Sequence, residues 1–216
     1  METKQNPVLL NYVRYTFLRL DEEGKVSESE DGEYSCFNTG LVTEAQEPIF
    51  GFFKKNAKGP EPWRFSGWRR KGEHDLTVFT ELPDLASYYD DPSCLVYDCR
   101  KDLRVNVEHV IVENKDRFPD QFRSLATFAL QTQLRGAVDN AKERVRRNYK
   151  AAIPQYYQGK IQLLLPLCLS KPKEADLAIV VEDYGAFYRA TTCLTLDMAY
   201  NNARQLARPD RDWLQP

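Results

Sequence analysis

The hydrophobic period of the chain changes near Asp120, and that change limits the folds open to it. Before it, apolar residues come in short runs broken by Pro and Gly, the punctuation of antiparallel strands and turns. After it, Leu134, Val138, Ala141, Val145 and Tyr149 follow a helical repeat, which predicts a long helix over about 120–150. Gly136 inside it costs about 1 kcal/mol relative to Ala, too little to break it. Upstream, Leu10, Val13, Phe17 and Leu20 predict a helix over Leu9 to Glu23, with Gly24 at its stop. Asp31-Gly32 marks a hairpin turn within Lys25 to Thr43. Strands are expected at Ile49 to Phe53, Trp63 to Trp68, Leu76 to Phe79, Leu95 to Tyr97 and Val105 to Val112. Three more follow at Ile161 to Cys168, Leu177 to Val181 and Arg189 to Leu196, the last two joined by a turn at Asp183-Tyr184-Gly185. Leu196, Ala199, Ala203 and Leu206 make a closing helix stopped by Pro209.

These elements predict one α+β domain over 1–216, a largely antiparallel sheet packed by an N-terminal, a long central and a C-terminal helix. Strand and helix do not alternate as a doubly wound nucleotide-binding sheet requires. A hydrophobic share of 42% is enough for a full core, so wholesale disorder is excluded. No apolar run approaches the ~18 residues of a membrane-spanning helix; the longest, Ile161 to Leu169, contains Gln162 and Pro166. The first residues lack the basic-then-apolar plan of a signal peptide. Five scattered cysteines fit reduced thiols and a cytoplasmic location.

The net charge of −2 hides a segregation. Basic residues dominate 51–80 and 121–160, while acidic residues dominate 1–50 and 81–120. Two basic islands in an acidic chain offer local surfaces for an anionic partner, since exposed charges beyond about 10 Å are largely screened. The competing reading is that each island neutralises the acidic segments within the fold.

Metal and cofactor chemistry is poorly supplied. The two histidines, His74 and His109, have no second ligand at metal-binding spacing, and no cysteine pair matches a zinc site. A carboxylate-bound Mg²⁺ would have to use Asp90, Asp91, Asp98 or Asp102, which read better as solvated surface. No Walker-type loop, dinucleotide-binding glycine fingerprint or nucleophile elbow is present. No metal and no cofactor are therefore expected.

Four clusters carry the candidate chemistry. On the expected helix, Arg135, Lys142, Arg146 and Lys150 share a sector about 80° wide beside the apolar face, a stripe suited to phosphates and weakened by Asp139. The segment Trp63-Arg-Phe-Ser-Gly-Trp-Arg-Arg-Lys71 interleaves rings with cations. Strict strand alternation sends Trp63 and Phe65 one way and Arg64 and Trp68 the other, leaving Trp68 with Arg69 as a stacking platform. Asn106 and His109 form the third cluster, on the strand expected over Val105 to Val112. His109 is there the one neutral-pH proton carrier inside an ordered element, against the commoner role of a hydrogen-bonded core histidine. The fourth lies on the closing helix: Asp197, Asn201, Arg204 and Arg208, which also reads as a surface network. Asn38 and Thr39 in the hairpin offer neutral hydrogen bonds.

Several long phrases occur in order: Asn11-Tyr-Val-Arg-Tyr-Thr-Phe17, Phe37-Asn-Thr-Gly-Leu41, Asn106-Val-Glu-His109, Asp116-Arg-Phe-Pro119, Arg147-Asn-Tyr-Lys-Ala-Ala-Ile-Pro154, Gly159-Lys-Ile-Gln-Leu-Leu-Leu-Pro166 and Leu194-Thr-Leu-Asp-Met-Ala-Tyr-Asn-Asn-Ala-Arg204. Together they closely resemble a bacterial domain-of-unknown-function family, number 3825 of that series, from about Asn11 to Leu214. The resemblance implies kinship with chains in which this domain accompanies an OST-HTH (LOTUS) RNA-binding module, and it assigns no catalytic residue.

The expected function is a cytosolic domain that binds RNA or a nucleotide-like phosphate ligand, in RNA processing or an RNA stress response. Two alternatives stand beside it: a metal-independent phosphoesterase or nucleotide hydrolase with His109 as acid or base, and a protein-interaction scaffold. A membrane partner is not expected.

Overall fold

The computed structural model describes residues 7–57 and 59–206. Two compact units divide the chain, Met1–Ser87 and Tyr88–Pro216. Helices and two sheets make it an α+β protein.

In the first unit, α1 (Pro7–Glu22) is followed by β1 (Ser27–Glu28), β2 (Tyr34–Val42), β3 (Pro48–Lys55) and β4 (Trp63–Arg70), an antiparallel sheet in that order. α1 buries Tyr12, Thr16 and Leu20, one residue per turn, and ends where Gly24 takes a positive φ of 65°. The hairpin turn forms as expected: Asp31 Oδ1 accepts from the Ser29 hydroxyl and the Glu33 N–H, and Gly32 supplies the positive φ. One sheet face carries Phe37 and Phe53, which meet Phe17 of α1 at centroid distances of 5.1 and 6.1 Å. The other face carries Cys36, Phe50 and Phe52, covered by Leu76 and Phe79.

The run Leu76 to Phe79, expected as a strand, is instead a 3₁₀ turn over His74–Val78. One turn brings Leu76 and Phe79 down on the same sheet face, which an extended run could not do. The strand expected at Leu95 to Tyr97 is likewise absent; a 3₁₀ turn covers Pro92–Leu95, with the Asp91 side chain accepting from Ser93 N–H at its start.

The second unit holds a five-stranded sheet in the order β5-β9-β8-β7-β6, formed by β5 (Asp102–Val105), β6 (Ile153–Tyr157), β7 (Lys160–Leu167), β8 (Leu177–Asp183) and β9 (Phe187–Leu194). All neighbours are antiparallel except β5 and β9. β6 has no counterpart in the expected elements. Its hairpin to β7 turns on Gln158 and Gly159, both with positive φ, the geometry a two-residue hairpin needs.

Two corrections concern helices. The strand expected over Val105 to Val112 stops at Val105, and α2 (Val107–Asn114) follows. Asn106 causes the switch, its side chain accepting the His109 N–H as a helix cap. The helix expected over 120–150 is three pieces: α3 (Asp120–Arg123), α4 (Thr127–Arg147) and a 3₁₀ turn over Tyr149–Ala151. Ala126 is extended, with ψ 143°, and starts a new helix. Asn148 is extended too, and its side chain accepts the Lys150 N–H, so the helical phase is lost before Lys150.

α4 buries Leu130, Leu134, Ala137, Val138, Ala141 and Val145 in a core with Leu163, Leu165 and Leu167 of β7. On the opposite sheet face, α5 (Leu196–Ala203) lays Ala199 and Ala203 against Leu164, Ala178 and Val180. β7 is thus buried on both faces, which explains its apolar run from Leu163 to Leu167.

The five cysteines are free. Burial pushes the Cys36 and Cys193 thiols up to about 12, while Cys99 is exposed. Iodoacetamide at pH 8 is therefore expected to modify native Cys99 and to reach Cys36 and Cys193 only after denaturation, read by peptide mass. Modification of Cys36 in the native protein at the Cys99 rate would contradict this packing.

Candidate functional site

α4 divides its cations between two faces. Lys142 and Arg146, with Tyr97 and Lys101, line a hollow of about 400 Å³. Its lining also includes the carboxylates of Asp102, Asp139 and Glu143. Lys142 lies 3.9 Å from Asp139, and Arg146 bonds Glu143 at 3.0 Å. Arg135 is exposed on the same helix, and Lys150 sits past its end. The expected stripe is therefore interrupted at Asn148, and two of its four cations, Lys142 and Arg146, sit beside acids of their own helix.

The next face is different. Asn140, Arg144 and Arg147 recur at i, i+4 and i+7, and they line a cleft of about 930 Å³ with the end of β7 and the loop after it. That loop contributes Ser170, Lys171 and Lys173, and Pro166, Leu169 and Pro172 give the cleft apolar walls. Four cations line it, and among the described residues no carboxylate does. The loop is held in shape by Asp176, whose carboxylate accepts the Leu169 and Ser170 N–H groups at 2.7 and 2.8 Å and the Ser170 hydroxyl at 2.6 Å. Lys173 adopts a positive φ of 71°, a conformation rare for a residue with a side chain. Among the described residues neither Arg147 nor Lys173 forms an ion pair, while Lys171 lies 3.3 Å from Glu174. Burial raises the pKa of the Cys168 thiol in the cleft wall, and Arg144, which bonds it, acts against that rise.

Arg144, Arg146 and Arg147 occupy the last turn of α4, where the helix dipole favours cations. That placement accounts for their local stability. It does not account for Lys171 and Lys173 approaching the same hollow from another element.

The remaining expected residues do not gather there. Asn106 is the cap of α2, and His109 is exposed in its first turn rather than among core valines. Neither of them, nor Asn201, lines the two hollows. Asn201 donates to the Asp197 carbonyl, and its buried Oδ1 has no hydrogen-bond partner among the described residues. Arg204 caps α5, its N–H bonding the Tyr200 carbonyl at 2.9 Å; Arg208 and Pro209 lie outside the described residues. In the first unit, Asn38 donates to the Pro83 carbonyl and accepts the Gly40 N–H, while Thr39 donates to the Ile49 carbonyl. Both hold an irregular stretch of β2 in place. Arg69 bonds Asp75 at 2.5 Å and lies over the Phe52 ring, so its side chain is only 18% exposed.

Of the carboxylates considered for a metal, Asp91 caps the 3₁₀ turn over Pro92–Leu95. Asp98 takes a bidentate bond from Arg100 at 2.9 Å, which holds its pKa down to about 2. Among the described residues no three His, Cys, Asp or Glu side chains could hold a metal ion together.

Sequence reasoning missed Arg144, Arg147, Lys171 and Lys173. The first two were visible as a pair at i, i+3 near the end of a basic helix. The Lys-Pro-Lys loop carried no signal that it would fold back against that helix.

No curated protein and no solved structure matches this chain. A family model described as "Domain of unknown function (DUF3825)" matches residues 1–213. The chain belongs to that family.

Proposed function

We propose that the cleft between α4 and the loop after β7 binds the phosphate groups of RNA or of a nucleotide-like ligand. One observation carries the reading: four cations from two separate elements line one hollow, and among the described residues no carboxylate lines it. Arginine offers paired donors to a phosphate and lysine a mobile point charge. The apolar walls give room for a sugar or base beside the charge. The setting we assign is cytosolic, in RNA processing or an RNA stress response, consistent with five free thiols.

Titration of a fluorescent twelve-residue oligo-U with the native protein at several salt concentrations tests the reading. Three or four neutralised phosphates predict that log affinity falls against log salt with a slope of about −2 to −3, since each contributes about 0.7 on a single strand. Inorganic polyphosphate should compete. A flat salt response, or binding untouched by polyphosphate, would show that phosphate recognition is not what this cleft does.

A further inference from the structure

The edge strand of the first unit carries an aromatic face that the cleft does not use. β4 pairs with β3 through a bulge: Gly67 faces Phe52 and Phe65 faces Phe53, so Ser66 is an extra residue. Gly67 sits at a φ of 132°, open to glycine and strained for other residues. The extra residue reverses the alternation expected from the sequence. Phe65 opposes Phe53 and Trp68 opposes Gly51, two positions apart on β3, so both rings lie on one face. Trp63, opposite Lys55, shares that face.

The rings continue an aromatic row. Phe53 meets Phe65 at 5.5 Å, and Phe65 meets Trp68 at 4.7 Å, edge to face. Phe65 is 47% exposed and Trp68 50%. Gly51 makes the row possible, because the Phe37 ring lies over it; a β-carbon there would come within 2.2 Å of that ring.

We infer that Phe65 and Trp68 form a stacking platform for one or two bases of a single-stranded nucleic acid. The charge around them suits that occupant. No carboxylate occurs from Trp63 to Lys71; Lys55 and Arg70 share the face of the rings, paired with the exposed Glu33 and Glu73, and among the described residues Lys71 at the end of the strand forms no ion pair. The bulge also decides against an extended peptide added to the edge. It interrupts the ladder and twists the strand, which protects an edge from pairing, while it brings two rings to one side. The inference shares with the proposed function only the class of ligand, because its residues lie in the other unit.

The experiment uses the full chain with Trp63→Phe and Trp213→Phe, leaving Trp68 as the sole tryptophan. Twelve-residue oligo-U should quench Trp68 emission, and an abasic oligomer of equal charge should not. Trp68→Ala and Phe65→Ala, each checked for native circular dichroism, should weaken oligo-U binding about 5- to 150-fold, the span of one lost base stack. Their salt slopes should match the native one. Equal affinity for both oligomers, or native oligo-U affinity in Trp68→Ala, overturns the platform. Trp68-dependent uptake of an acidic peptide by a chain that ignores oligo-U overturns it as well. The two readings fail separately. Binding lost in Trp68→Ala but kept in Arg147→Ala/Lys171→Ala/Lys173→Ala would refute the cleft alone, and the reverse would refute the platform alone.

Discussion

Leu134→Ala is expected to destabilise the protein by about 2–5 kcal/mol, the range for deleting a fully buried leucine side chain. Leu134 is 0% exposed and belongs to the core that α4 makes with β7. The loss combines the transfer of the removed methyl groups with the cavity left behind. Against a typical domain stability of about 5–15 kcal/mol, it takes a sizeable share. Urea unfolding followed by circular dichroism measures it as a lower midpoint with an unchanged slope. Leu134→Met, which conserves volume, should cost less than about 1.5 kcal/mol. An unchanged midpoint for Leu134→Ala would mean that α4 does not pack as described. Because α4 also carries Arg144 and Arg147, the same core seats half of the basic cleft.

Which parts of this fold were legible depended on how local their causes are. α1 and its Gly24 stop, the Asp31-Gly32 hairpin, β3 and the apolar spacing of α4 are written within a few residues each. α2 was hidden by its valines. Val105, Val107, Val110 and Val112 read as strand, and the one local clue was Asn106 three residues before His109, a side chain able to cap the backbone there. The breaks on either side of α4 also have local causes, but a helical repeat continues through them and masks them. Leu76 and Phe79 are apolar in either state, and only the sheet beneath them selects the turn.

The candidate sites were harder to read. The helical wheel places Lys142 and Arg146 correctly beside the apolar face, yet Asp139 and Glu143 lie close enough to neutralise them. The cleft needs a loop more than twenty residues downstream of Arg144, a distance no spacing rule covers. The Trp68 platform needs a single extra residue at Ser66, and without it the parity of the strand points that ring to the wrong face.

The second large effect belongs to the cleft. Arg147, Lys171 and Lys173 are exposed cations from two elements, so replacing them should leave the core intact. On a single strand each neutralised phosphate contributes a factor of about 5 at 0.1 M salt, so three lost contacts should weaken binding about 100-fold. Charge reversal, Arg147→Glu/Lys171→Glu/Lys173→Glu, should cost more than that, because it adds repulsion to the lost attraction. Lys171 already pairs with Glu174, so its single replacement should have the smallest effect of the three.

Parallel salt titrations of oligo-U with the native chain and with Arg147→Ala/Lys171→Ala/Lys173→Ala test the phosphate cleft most directly. The expected result is an affinity about 100-fold lower at 0.1 M salt and a slope of log affinity on log salt flattened by about 2. A folded triple variant with native affinity and native slope would contradict it.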